Sequence, residues 1–219
     1  MEGDLRNLID DPRFRAYQRE LLTPREFNTF DVLRYANYEI RHSNVLAWLL
    51  RSDDTHGIGT RFLKWFVNHV NRRLVAGEME RLPQTSFAAA NVAVWRERDH
   101  VDVTVCFKRE KCLIAVENKT ESASSAHRHQ VMGYERKLRG KHKDHTVRSV
   151  LLTTSPDGSV NFPGIAHVGW RSVHEAIREF LMDGEFQSPS VQAFIEQYLD
   201  MVERWDRPAA GEGFTALLD

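Results

Sequence analysis

From Val101 to Lys119 the chain reads as two β-rich runs, Val101-Asp102-Val103-Thr104-Val105-Cys106-Phe107 and Cys112-Leu113-Ile114-Ala115-Val116-Glu117-Asn118-Lys119, around the charged link Lys108-Arg109-Glu110-Lys111. Such a pair predicts an antiparallel hairpin. A two-residue turn at Arg109-Glu110 and a four-residue loop over 108–111 give the same register. Arg-Glu is poor chemistry for a tight type I′ turn, so the longer loop is preferred. Side chains alternate between faces along a strand. One face then carries Val101, Val103, Val105, Phe107, Cys112, Ile114 and Val116, broken only by Asn118, and is the core side. The other carries Asp102, Thr104, Cys106, Leu113, Ala115, Glu117 and Lys119. Asp102 faces Glu117 in this register, with Lys119 beside them, all on the solvent side. A slip of one residue would bury both acids in the core, so the hydrophobic pattern fixes the pairing.

Two carboxylates on neighbouring strands lie about 5 Å apart at Cβ. Left bare they repel, and one holds a proton. A hard divalent cation removes that penalty. Mg²⁺ takes oxygen ligands, keeps several waters and is held by one or two carboxylates plus substrate phosphate. An adjacent ammonium can orient a water or stabilise charge on phosphorus. Metal, carboxylates and amine together suit phosphodiester hydrolysis. The bland reading of the same residues is an exposed hairpin with a Glu–Lys pair, contributing under about 1 kcal/mol.

Around the hairpin, Thr23-Pro24-Arg25-Glu26 has the form of a capped helix start. Residues from Phe30 to Leu50 carry apolar positions at helical spacing, with a break near Ser43. A second helix carries Phe62, Trp65, Phe66, His69 and Val70 on one face. Residues 77–90 read as irregular. Val92 and Val94 belong to a strand, residues 123–140 to a helix, and Arg148–Thr154 to a buried strand ended by Ser155-Pro156-Asp157-Gly158-Ser159. Helices follow at about 171–182 and 189–204, and the Pro208–Gly213 tail reads as loose. This order predicts one α/β domain with a central mixed sheet and helices on both faces.

Asp102, then Glu117-Asn118-Lys119, then a helix bearing Gln130 and Tyr134, resembles the PD-(D/E)XK nuclease superfamily. The run Glu39-Ile40-Arg41-His42-Ser43-Asn44-Val45-Leu46-Ala47-Trp48-Leu49-Leu50, with His56-Gly57-Ile58-Gly59 and Phe62-Leu63 after it, is similar to the amino-terminal signature of a branch carried by many bacterial proteins. The stretch Val150 to Trp170, ending His167-Val168-Gly169-Trp170, resembles it too. The likeness spans most of residues 30–182. E-x-K alone is a weak motif; the ordered set Glu39, Asp102, Glu117, Lys119 and Gln130 is fairly specific. No proline precedes Asp102; His100-Val101 stands there, a departure that is frequent in the superfamily.

The resemblance implies a restriction-endonuclease-like core over 37–182, a helical extension over 1–36, and a C-terminal helix and tail over 183–219. It implies that Asp102 and Glu117 are metal ligands, with the Asn118 backbone carbonyl as another. Lys119 would be the catalytic lysine, and Glu39 the helix acid that completes the metal site. Gln130 would contact the site or the substrate backbone, with Tyr134 one turn on. Glu97 and Asp99 stand close enough to take Asp102's role if the strand is bulged. Glu39 has a bland alternative, pairing with Arg34, Arg41 or His42. The cofactor implied is Mg²⁺ or Mn²⁺ and the substrate a nucleic acid, DNA ahead of RNA. By analogy the role is bacterial defence against foreign DNA, as a homodimer or in a larger defence complex, with the C-terminal helices as an interface. Two other readings stand beside this one: a ribonuclease with the same site, and a non-catalytic nucleic-acid- or protein-binding module that keeps the fold.

Composition sets the limits. Thirty basic and 31 acidic residues in 219 leave a net charge of −1. That excludes a general polycation but not a local basic patch. Residues 124–150 hold such a patch: Arg128, Arg136, Lys137, Arg139, Lys141, Lys143 and Arg148 oppose only Glu135 and Asp144. On a nuclease it would grip phosphates; otherwise it is a solvated helix end. His127-x-His129 diverges on a helix, and Cys106 and Cys112 fall on opposite hairpin faces, so neither pair suits zinc. No Walker, dinucleotide or nucleophile-elbow motif occurs. Trp48, Trp65, Trp95 and Trp170 read as core. Two cysteines and an acidic, polar start predict a reducing, cytoplasmic setting, and no apolar run reaches membrane-spanning length.

Overall fold

A computed structural model of the chain describes residues 27–35, 39–74 and 87–203. The Thr23–Glu26 helix start, the loose tail and most of the amino-terminal extension lie outside these residues, as does most of the irregular 77–90 segment. In chain order the elements are α1 (Thr29–Val32), α2 (Glu39–Leu50), α3 (Arg61–Arg73), β1 (Val92–Arg98), β2 (Val101–Phe107), β3 (Cys112–Asn118), α4 (Ser125–Lys141), β4 (Thr146–Thr153), β5 (Ile165–Gly169), α5 (Trp170–Met182) and α6 (Pro189–Glu203).

The five strands form one mixed sheet in the order β1-β2-β3-β4-β5. Two antiparallel hairpins build its first half, and β3, β4 and β5 run parallel. A parallel neighbour needs a crossover, and α4 supplies it between β3 and β4. The β2–β3 loop is the four-residue 108–111 link, with Lys111 in the left-handed region at φ +48°. The β1–β2 turn is Asp99-His100, both with positive φ (58° and 68°), as a two-residue turn of primed type requires.

Period-two alternation sends Val103, Val105, Phe107, Cys112, Ile114 and Val116 into the main core with α2, α3, α5 and α6. The opposite face is not open to solvent, as the hairpin alone predicts. Cys106, Leu113 and Ala115 pack there with Val147 and with Leu138 of α4, and Val101, which alternation assigns to the core face, joins this cluster instead. The reason is topological: the crossover helix must lie on one face of the sheet, and it covers the row Leu113–Ala115–Glu117. The two cysteines fall on opposite faces, and both are buried.

One further expectation needs correction, and one strand was not foreseen. Helix α2 runs unbroken through Ser43, which is buried. Its hydroxyl donates to the Glu39 carbonyl one turn back at 3.1 Å, so it does not leave the helix. The interruption falls earlier, after α1, where Arg34 has φ +50°. Strand β5 carried too few residues to stand out in the sequence, yet it is buried along its whole length. Of the tryptophans, Trp170 is fully in the core. Trp48 and Trp65 pack against that core part-buried, and Trp95 packs against the α4-side cluster under the Arg98 guanidinium, 4.1 Å from its ring centre.

Candidate active site

The site forms where the sheet runs out from under its helices. The β2–β3 ladder keeps the expected register as far as Val103–Val116. One step further, the Asp102 carboxylate accepts the Asn118 N–H at 2.7 Å. Glu117 ends the row that α4 covers. The first part of that row meets apolar Leu138, but over Glu117 the helix presents Gln130, whose Nε2 donates to Glu117 Oε1 at 2.6 Å. The same amide donates to the Tyr134 hydroxyl at 3.0 Å. Ser124 starts α4 by accepting the His127 N–H, which sets the phase that turns Gln130 inward.

Lys119 follows Glu117 on the same face. Its Nζ lies 3.1 Å from Glu117 Oε1 and 3.1 Å from Glu39 Oε2, at the start of α2. Glu39 Oε1 also accepts the Thr120 N–H at 3.4 Å. Glu39 thus turns to Lys119 as the helix acid of this cluster, and Arg41 donates to the Leu33 carbonyl. Glu39, Asp102, Glu117, Lys119, Gln130 and Tyr134 form one connected group drawn from four elements. Asp99 is elsewhere, tied by its carboxylate to Lys141 at 2.5 Å on the β1–β2 turn. Glu97 pairs with Arg96 at 2.8 Å, half exposed.

The electrostatics are those of crowded acids. Burial, then the Asp102 charge, pushes the Glu117 carboxyl up to about 7, against the pull of Lys119. Burial also raises Asp102, although the Asn118 N–H and Lys119 oppose it. Burial works against the Lys119 ammonium, yet Glu117 and Glu39 outweigh it and raise its pKa. Glu117 is 4% exposed, and its second oxygen, Oε2, is buried without a hydrogen-bond partner. A buried anionic oxygen left unpaired is costly, and a hard cation is the ligand that satisfies it. The donor set fits such an ion. Among the described residues, however, no three His, Cys, Asp or Glu side chains converge into a metal cage of their own. Water and substrate oxygens would have to complete the shell.

Asn118 has a role the hairpin pattern did not predict. Its side chain points away from the acids and is fully buried. Its Nδ2 donates to the Glu39 carbonyl at 2.8 Å and to Ser43 Oγ at 3.0 Å, and its Oδ1 accepts Trp170 Nε1 at 2.8 Å. One signal was available: Asn118 is the lone polar residue on the core face of the hairpin, and a buried amide must find partners.

The basic residues of α4 divide by face. Gln130, Tyr134, Lys137 and Lys141 follow helical spacing along the flank toward the hairpin. Glu135 and Arg139 take the other flank: Glu135 accepts the Ser149 hydroxyl at 2.7 Å, and Arg139 donates to the Val147 carbonyl at 3.2 Å. Arg136 is exposed and Arg128 half-buried; Lys143 lies in the loop beyond. Arg148 is buried on β4. His127 bonds Glu121 at 2.8 Å and His129 the Ser125 carbonyl at 2.9 Å, so the two rings do diverge.

A family profile described as the PD-(D/E)XK nuclease superfamily matches residues 27–200. No curated protein and no solved structure matches the chain. Among the described residues no helix is long and apolar enough to cross a membrane.

Proposed function

The chain belongs to the PD-(D/E)XK nuclease superfamily, and on that premise we propose that it hydrolyses phosphodiester bonds in DNA with a divalent cation, Mg²⁺ or Mn²⁺. One observation carries the reading: the unpaired, buried Glu117 Oε2 beside a second carboxylate and an ammonium. Asp102 and Glu117 would hold the ion, with Glu39 and the Asn118 carbonyl as its further protein ligands. When bound it supplies a Lewis acid for the scissile phosphate and a more acidic water.

The rest falls to side chains already in place. Lys119, held between Glu39 and Glu117, is set to keep an attacking water in line and to offset charge building on phosphorus. Gln130 fixes the Glu117 rotamer through one oxygen and leaves the other for the ion. Asn118 anchors the backbone from which Glu117 and Lys119 project. The biological setting proposed is defence against foreign DNA, by analogy with the family and not from any residue here.

Incubating the protein with labelled duplex DNA, single-stranded DNA and RNA in Mg²⁺, Mn²⁺ or EDTA tests the reading. Metal-dependent, EDTA-sensitive DNA cleavage is expected. Cleavage of RNA alone would move the activity to a ribonuclease. Binding without cleavage in every buffer would leave a binding module on this fold.

A further inference from the structure

A chain of contacts leads away from the acids along one flank of α4. Gln130 touches Glu117, and the Tyr134 hydroxyl touches Gln130. The Lys137 ammonium sits over the Tyr134 ring, 5.7 Å from its centre. Lys141, one further turn on, reaches the β1–β2 turn at Asp99. Positions 130, 134, 137 and 141 keep to one stripe, about 16 Å long at the helical rise. At its far end Asp99, His100, Lys137 and Lys141 line a cleft of about 320 Å³. Arg98 stands at the same turn, stacked on Trp95. The stripe is polar at the acids and cationic beyond them.

We infer that this flank is the track on which the polynucleotide backbone leaves the site, with Lys137 and Lys141 as phosphate contacts. The inference rests on the nuclease reading and goes beyond it by assigning a direction. The chemistry favours a phosphodiester strand over other anions. A single small anion would use one end of the cleft, whereas two ammonium groups one turn apart, about 6 Å along the helix and in line with the acids, suit successive phosphates of one strand. Lys141 does not stand idle without substrate: its side chain is half exposed and paired with Asp99. A phosphate would replace that carboxylate as its partner. Exposed ion pairs contribute little, so the exchange costs little.

The test compares two charge-matched double variants. Lys137→Gln/Lys141→Gln alters the track. Lys64→Gln/Arg171→Gln removes the same charge from exposed positions of α3 and α5, on the other face of the sheet. Binding of a labelled DNA oligonucleotide is followed in EDTA from 50 to 200 mM salt, and cleavage kinetics in Mg²⁺. For the track pair, Kd is expected to rise at least tenfold and the slope of log K against log salt to fall by about 2, near 0.9 for each phosphate no longer neutralised. Its KM should rise with kcat within about twofold, and the control pair should match wild type. Equal losses in both pairs, or none in the track pair, would overturn the track while leaving the nuclease intact. A wild type that neither binds nor cuts DNA or RNA would remove both readings together.

Discussion

Trp170 Nε1 donates to Asn118 Oδ1 at 2.8 Å, across 52 positions of sequence. The bond joins the start of α5 to the residue between Glu117 and Lys119. With its two bonds to α2, Asn118 ties three elements to the carboxylate that also accepts its N–H. Small displacements at a reacting centre can cost about a hundredfold in rate. Asn118→Asp puts a carboxylate against the Glu39 carbonyl, where an amide donor stood. A drop in kcat of that order is expected, with KM for DNA little changed. Trp170→Phe deletes one donor and keeps most of the packing, so about a tenfold loss is expected. Circular dichroism melts separate this from unfolding, since leaving a buried partner unpaired costs about 1–3 kcal/mol. Unchanged kcat in both variants would remove the anchoring role.

Glu117 works against folding when no cation is present. Its folded pKa, about 7, lies above the ordinary carboxyl value. The folded state therefore favours the protonated form, and stability is lost as pH rises through about 7. Glu117→Gln mimics the neutral form. In EDTA at pH 8 its melting temperature is expected to exceed wild type by several degrees, with no gain at pH 5. Saturating Mg²⁺ should raise the wild-type melting temperature and not that of the variant. A Mg²⁺ shift that survives in Glu117→Gln would place the ion elsewhere.

His174 gives the fold an acid limit of opposite sign. Burial, then the nearby His42 and Arg178 charges, lowers its pKa to about 3. The unfolded ring takes a proton near pH 6.5, so stability from the neutral ring is full above that and declines as pH falls toward about 3. His174→Phe keeps an aromatic ring against Trp170. Urea titrations from pH 6.5 to 4.5 should show wild type losing about 1.4 kcal/mol per pH unit relative to the variant. Parallel curves would show that this ring does not titrate on unfolding.

The sequence revealed what depends on periodicity and hid what depends on distance along the chain. The hairpin register followed from alternation, because a slip of one residue would turn Asp102 and Glu117 into the apolar core that Val103 and Val116 enter. The α4 phase that brings Gln130 to Glu117 followed from the resemblance and was refined by the structure. Strand β5 was hidden because five buried residues carry no alternation. The cover over the second sheet face was hidden because a crossover helix declares its length and not its side. Glu39 and Lys119 meet across 80 positions, which no local pattern encodes. The Asn118 anchor left one local trace, a single amide in an apolar row, and its partners appear only once α2 and α5 are docked.

The most direct test of the central claim is DNA cleavage by wild type, Lys119→Ala and Asp102→Ala in Mg²⁺, each measured under single turnover alongside its DNA affinity. EDTA-sensitive cleavage by wild type is predicted, with each variant slowed at least a thousandfold while still folded and binding DNA within about tenfold. Equal rates from all three proteins would contradict the account, because hydrolysis would then proceed without the acid and the amine assigned to it.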